Sequence, residues 1–367
     1  MLALYDEFVS SSDDEEEYVY IPRRPALRRA QVNYFDLLSE PQFFMRFRLR
    51  KETVALLLAQ IEPMIRTRTD RNNPITPMNR LLLTLRFFAT GCFLVSTGDF
   101  IGVSKSSVEV IVWQVSQAIV SLRNQYIKMP TSEEERAVAR SEFFDMARFP
   151  RCIGAIDCTH VRIQSVGGPT SEIYRNRKGW FSKNVQVIGG PTLLIQDIVC
   201  RWPGASHDQT IFNGSSVEQR FEQGDFGTDA IVGDTGYETR SYILTPVTNP
   251  NSEAAQLYNE SIVRTRQSIE RLFGVWKRRF PILSVGIRLR KRTFFKNNFF
   301  IVACAILHNI AILNKDEQPP VDPTVIIPQE QTEFDQANPL IVPDPNERNP
   351  RYRVRQALIN DWFTTLI

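Results

Sequence analysis

The sequence predicts an α/β or α+β domain preceded by an all-helical region, and three observations carry that expectation. Apolar residues recur at helical spacing from about Asn33 to Phe149, as in Val54, Leu57, Leu58 and Ile61, then Leu81, Leu82, Leu85 and Phe88. From Cys152 to about Asn314 the texture changes to short β-branched runs broken by Gly and Pro, closing in apolar, helix-like stretches. With 367 residues, 43% of them hydrophobic and 23% charged, the chain can bury a substantial core and holds more than one domain's worth of length.

Taken in order, residues 1–32 join the acidic run DDEEE to PRRPALRR, a composition too polar and proline-broken to pack, and read as a loosely attached arm. Residues 33–149 form the helical region. Within it, about residues 82–122 hold a helix-turn-helix pattern: a short helix around Ser96–Ile101, a turn at Gly102–Val103, and a helix capped by Ser104 that carries Lys105 in its first turn. The pattern suits either DNA contact or plain scaffolding. Residues 150–314 form the α/β domain. In the tail, 315–367, DEQPPVDPTVIIPQEQ reads as a linker and RYRVRQALINDWFTTLI as a docking helix. No repeat of solenoid period is present.

Several classes are set aside. No uncharged apolar run of about 18 residues occurs, and the N-terminus lacks a basic segment followed by an apolar one, so neither secretion nor membrane spanning is expected. The cysteines at 92, 152, 158, 200 and 304 form no C-x-x-C pair and are odd in number, which favours a reducing compartment, cytosol or nucleus. No phosphate loop, nucleophile elbow or D-x-D motif supports a phosphatase or nucleotide hydrolase. The net charge of +3 hides an uneven distribution, with eight Lys/Arg and no acid between Lys277 and Lys296. Such a block can face phosphates or simply be solvated. The residues read for DNA contact are Lys105, Arg175, Arg177, Lys178, Lys277, Arg278 and Arg279. Tyr174 and Trp180 add aromatic faces to the Arg175–Lys178 loop, which can equally be a solvated one.

Three acids carry the candidate chemistry. RCIGAIDCTHVRIQ reads as a strand with Ile153, Ala155, Asp157 and Thr159 on one side, where an acid is costly unless paired or metal-bound. DAIVGDTGYETR puts Asp234 at a strand end before a turn. In RTRQSIERLFGVWKRRFPIL, Ile269, Leu272, Phe273 and Trp276 form an amphipathic stripe stopped by Pro281, and Glu270 lies beside it. Two strand carboxylates and one helix carboxylate can converge on Mg²⁺ or Mn²⁺, hard cations that prefer oxygen ligands. Two such ions about 3.5–4 Å apart activate an attacking oxygen and stabilise a leaving one, which is phosphodiester cleavage. Each acid alone could be a turn or cap residue. Cys158 and His160 lack a second pair for zinc and read as a packed thiol and a hydrogen-bonded imidazole. His207 can support a neighbouring ligand, and His308 reads as a core histidine.

The segments GAIDCTH at 154–160, YRNRKG at 174–179, WPGASHD at 202–208, GDTGY at 233–237, IERLFG at 269–274 and RRFPIL at 278–283 follow in the order seen in PIF/Harbinger transposases. The chain resembles that family over roughly Leu81 to Asn314, nearest to its domesticated nucleases in animals. The resemblance implies a ribonuclease H-like mixed sheet flanked by helices. It implies Asp157, Asp234 and Glu270 as the catalytic, metal-holding acids, with 35 residues between the last two, and Asp208 as a further metal contact, although Asp208 could also cap a helix. It further implies a divalent cation, Mg or Mn, DNA as substrate, a Myb-like DNA-binding partner, and residence in nucleus and cytoplasm. Two readings follow: a metal-dependent DNA endonuclease, or a host-recruited DNA-binding or adaptor protein that keeps the fold without cleavage or transposition.

Overall fold

A computed structural model of the protein describes residues 32–67, 74–165, 167–289, 293–320 and 352–367. The arm expected at residues 1–32 and the linker expected after Lys315 fall largely outside these residues. The helical region is built from α1 (Tyr34–Leu37), α2 (Glu40–Phe47), α3 (Lys51–Ile65), α4 (Pro77–Thr90), α5 (Leu94–Ile101), α6 (Lys105–Val120), α7 (Arg123–Tyr126) and α8 (Glu133–Ala147). Local chemistry starts these helices. Ser39 with Gln42 and Ser132 with Glu135 form capping boxes, and Thr76 accepts from the Asn79 amide ahead of Pro77.

The helix-turn-helix pattern is realised by α5 and α6. Gly102 takes the left-handed conformation, φ 70°, that ends α5, and the Ser104 hydroxyl accepts the Ser107 amide at 3.3 Å. The turn is tight because Gly98 has no side chain: a Cβ there would stand 2.4 Å from the Val103 carbonyl oxygen. Val108, Ile111, Val112, Val115 and Ile119 of α6 are buried, packing against α4 and α13 (Lys296–Leu313). Helical region and sheet therefore share one apolar cluster. By length and composition α13 alone among the described helices could cross a bilayer, but its apolar window is 67% buried and its neighbours are α6 and β3, the pattern of a core helix.

Five strands form a mixed sheet: β1 (Cys152–Arg162), β2 (Ser182–Gly189), β3 (Ile195–Pro203), β4 (Ala230–Val232) and β5 (Ile243–Leu244), in the order β3-β2-β1-β4-β5. The pairs β1–β2 and β2–β3 are antiparallel, whereas β4 lies parallel to β1 and β5 to β4. Helices α9 (Asp208–Asn213) and α10 (Ser216–Glu222) cover one face, where Phe212, Val217 and Phe221 meet Ile156, Ile188 and Ile231. The long α11 (Glu253–Arg279) packs on β1 and β2 with Ile269 and Leu272 in the main core beside Ala155 and Val187. This is the ribonuclease H-like arrangement of a mixed sheet between helices.

One detail of β1 departs from the simple alternation. Ile153 joins the cluster of Ile156, not that of Ala155, because the pairing with β4 slips between Cys152 and Gly154. Such a bulge turns one residue onto the other face while the acid-bearing part of the strand keeps its register. At the C-terminus, α14 (Arg353–Ala357) leads into a segment that buries Leu358, Ile359 and Phe363, the last 5.4 Å ring to ring from Tyr258.

Candidate active site

The acids gather where the centre of β1, the end of β4, the start of α9 and the middle of α11 meet. Asp157 stands in the centre of β1 and is 4% exposed. Its Oδ1 accepts the Cys158 amide at 2.7 Å, and its Oδ2 lies 3.3 Å from the Arg266 guanidinium. The same Arg266 nitrogen is 3.9 Å from Glu270, one helical turn further along α11. Asp234 follows β4 directly, and its Oδ1 accepts the Gly236 amide at 3.0 Å, fixing the turn. A Cβ added to Gly236 would stand 3.0 Å from Asp234 Oδ1 and 3.7 Å from Asp208 Oδ2, so those two carboxylates border one small space. Asp208 is the first residue of α9; His207 occupies the cap position, and Asp208 Oδ1 accepts from the Asn184 side chain at 2.9 Å.

Where α11 packs on β2, two of its side chains meet a residue with none. A Cβ at Gly189 of β2 would lie 2.8 Å from Leu272 Cδ1 and 2.9 Å from Ile269 Cδ1. The terminal methyls of Leu272 and Ile269 thus fill the space over Gly189, on the stretch of α11 that carries Glu270.

Electrostatics mark the cluster as strained in charge. Burial pushes the Asp157 carboxyl well above the usual carboxylate range; Arg266 pulls it down, while Asp234 and Asp208 push it further up. Burial works against the Arg266 charge, but Asp157, Asp234 and Glu270 outweigh it and hold the guanidinium protonated. Among the described residues no group of three or more His, Cys, Asp or Glu stands at metal-ligand spacing. The donors themselves are all carboxylate oxygens, the set that suits Mg²⁺ or Mn²⁺, and their mutual repulsion is what a cation would relieve. Arg266 now supplies that positive charge.

The structure distributes the remaining candidates unevenly. Arg177 reaches the rim, 3.0 Å from His207 Nδ1, beside Asp208. Arg175 is held by Glu172 at 2.7 Å. Lys178 is exposed, and Lys105 is exposed on the first turn of α6. Trp180 meets His160 edge-on at 5.8 Å, and His160 Nδ1 is 3.1 Å from the Ser182 hydroxyl. Burial, then Lys277, Lys178 and Arg177, lower the His160 pKa to about 4. Two members of the basic run are corrected by their surroundings. Lys277 is 4% exposed and donates to the His160 carbonyl at 3.1 Å. Arg279 is fully buried and donates to the Arg48 and Glu317 carbonyls, so it braces the chain and offers no charge to solvent. Arg278 between them is half-buried. Cys158 is buried beside Val199 and Ile211, 3.4 Å from the Tyr237 hydroxyl, and His308 is a core residue 2.8 Å from the Leu193 carbonyl.

Arg266, Asn184 and Tyr237 are site residues that sequence reasoning passed over. For Arg266 the signal was present in its spacing of four from Glu270 on one helix face. Asn184 and Tyr237 become visible only once β2 and the turn after β4 are folded against Asp208 and Cys158.

Comparison with known proteins bears on the same segment. The family described as DDE superfamily endonuclease matches residues 156–309, which contain all four acids. The chain is 31% identical over 246 residues to "Putative nuclease HARBI1" of Bos taurus, covering 66% of this chain and 70% of that one. The protein of the same name from Homo sapiens is 30% identical over the same shares. "Protein ALP1-like" of Arabidopsis thaliana is 24% identical over 269 residues, 68% of this chain and 64% of the relative. No solved structure matches the chain. With an endonuclease domain laid over the acid cluster and this degree of identity across most of the relatives' length, the chain belongs to the DDE superfamily of endonucleases, among the Harbinger transposase-derived nucleases.

Proposed function

We propose that the protein is a divalent-metal-dependent DNA endonuclease in which Asp157, Asp234 and Glu270 are the metal-holding acids and Asp208 is a fourth. The observation that carries this reading is convergence: Arg266 lies within 4.0 Å of Asp157 on β1 and Glu270 on α11, Asp234 after β4 and Asp208 of α9 border one small space, and both of these raise the Asp157 pKa. A bound Mg²⁺ or Mn²⁺ pair would supply Lewis acidity toward the phosphate and an activated oxygen nucleophile. The chain's own residues do the rest. Asn184 holds Asp208 in orientation, and the turn at Gly236 holds Asp234. Arg266 neutralises Asp157 and Glu270 and must yield part of that role when a cation enters. Arg177 and Lys178 at the rim provide positive charge for the DNA backbone.

The test is direct. Full-length protein incubated with duplex DNA and Mg²⁺ or Mn²⁺ is expected to break the DNA, and Asp234→Asn is expected not to; equal breakage by the two ends the proposal. Calorimetric titration with Mn²⁺ gives a second readout, since Asp234→Asn should weaken binding whether or not DNA is cut.

A second reading has its own support. The acids stand wider than a closed metal cluster, and a guanidinium lies among them, as befits a DNA-binding or adaptor protein that keeps the fold without cleaving. Binding of DNA with no metal-dependent breakage is its signature. In either case we propose action in nucleus and cytoplasm together with a Myb-like DNA-binding partner; the five cysteines, none of them in a disulfide, suit those compartments. Co-precipitation and imaging of a tagged chain test both points.

A further inference from the structure

Beyond the acids, at the far end of β1, lies an open groove of about 510 Å³, lined by Phe93, Arg162, Trp180, Phe181 and Arg288 among others and, among the described residues, by no Asp or Glu. We infer that this groove binds unpaired DNA nucleotides, stacking bases on Trp180 and Phe93 and holding phosphates with Arg162 and Arg288. The volume falls within the range of small-ligand sites. The inference rests on the reading that the acid cluster acts on DNA and names the form of DNA it takes.

Two aromatic faces each carry a guanidinium. Arg162 lies over the Trp180 ring at 5.0 Å, and Arg288 over the Phe93 ring at 4.7 Å. Phe93 is 61% exposed, although it occupies the cap position of α5, where an apolar ring contributes nothing to capping. An exposed ring beside an arginine with no ion pair among the described residues is poorly used by the fold and well suited to a base and its phosphate. The pairing occurs twice in the lining, from segments far apart in the chain. Arg175, close by, shows the contrast: it too stacks on an aromatic ring, Phe181 at 4.6 Å, but Glu172 neutralises it.

Stacking surfaces of this kind select unpaired nucleotides, because in a duplex both faces of each base are already covered. One strand joins the groove to the acids. Arg162 is five positions from Asp157 on one extended strand, about 17 Å away, and this odd separation puts the two side chains on opposite faces of the sheet, so the groove is a site separate from the acids. Between them, His160 touches Trp180 and its carbonyl anchors Lys277.

The test measures binding of the full chain in EDTA, at one fixed salt concentration, to a blunt duplex and to the same duplex with a short oligothymidine tail at its 5′ or 3′ end. One tail is expected to improve affinity by about tenfold or more. Trp180→Ala and Phe93→Ser should each remove most of that gain, and Trp180→Phe should keep it. Arg162→Ala and Arg288→Ala should weaken binding and lower the salt dependence by about one phosphate contact each. Phe93 is exposed, so Phe93→Ser remains informative should Trp180→Ala fail to fold. A wild-type chain indifferent to tails, or a tail preference untouched in both variants, overturns the inference. A chain that prefers tails yet never cuts with Mg²⁺ or Mn²⁺ retires the nuclease reading and leaves the groove standing; one that cuts but ignores tails does the reverse.

Discussion

Asp157 and Arg162 stand on one strand, and their surroundings treat charge in opposite ways. Asp157 is shut away from water, faces other carboxylates and leans on a guanidinium that is itself only 17% exposed at its side chain. Arg162 is exposed and lies on an indole. In the interior a charge must be matched or it shifts its protonation; at the surface, water keeps it ionised at little cost. Substitutions in the acid cluster should therefore register in folding stability as well as in activity, and substitutions in the groove in binding alone.

The strongest challenge to that contrast is Arg266→Met. Removing one partner of a buried pair leaves the other uncompensated, with an expected loss of about 3 kcal/mol in urea unfolding at neutral pH. Adding Asp157→Asn should return most of it, and a double variant no more stable than Arg266→Met alone would show that the pair is not coupled. Next in size is a pH effect at a buried group without a carboxylate partner. Burial, opposed by the Leu193 carbonyl and reinforced by Arg279, lowers the His308 pKa to about 4. The unfolded chain takes up that proton first, near pH 6.5. His308 stability is thus complete above that pH and declines as pH falls toward 4, by at most about 3 kcal/mol. The decline should be shallower in His308→Gln, judged by comparing urea midpoints of the two proteins across that window. Asn184→Ala, which frees Asp208, should weaken Mn²⁺ affinity by about 10- to 100-fold. Smallest of all, Arg162→Ala should change unfolding free energy by less than about 0.5 kcal/mol; a larger change would mean the groove belongs to the core.

What could be read without coordinates followed from local periodicity. Gly102 and Ser104 announced the turn and cap between α5 and α6, and period-two and period-3.6 patterns put Asp157 on a strand and Glu270 on a helix. The same periodicity, followed further, would have corrected the basic run: Leu272, Trp276 and Arg279 are spaced by four and three, so Arg279 continues the buried stripe of α11. A charge run counted along the chain ignores which face each residue takes. The strand order and the slip that turns Ile153 over depend on pairing between distant segments, which leaves no local trace. Phe93, Arg162, Trp180 and Arg288 lie still further apart in the chain, and nothing near any one of them signals the others.

Gly189 has a consequence for how this cluster tolerates change. The Leu272 and Ile269 methyls occupy the place a side chain at Gly189 would take, and Glu270 sits between those two residues on α11. A single added carbon on β2 would crowd those methyls in a fully packed interior, and the strain would fall on the turns of α11 that flank Glu270, with every acid still in place. An inventory of intact acids therefore describes only half of a working centre; the other half is space, written in a residue that touches none of them.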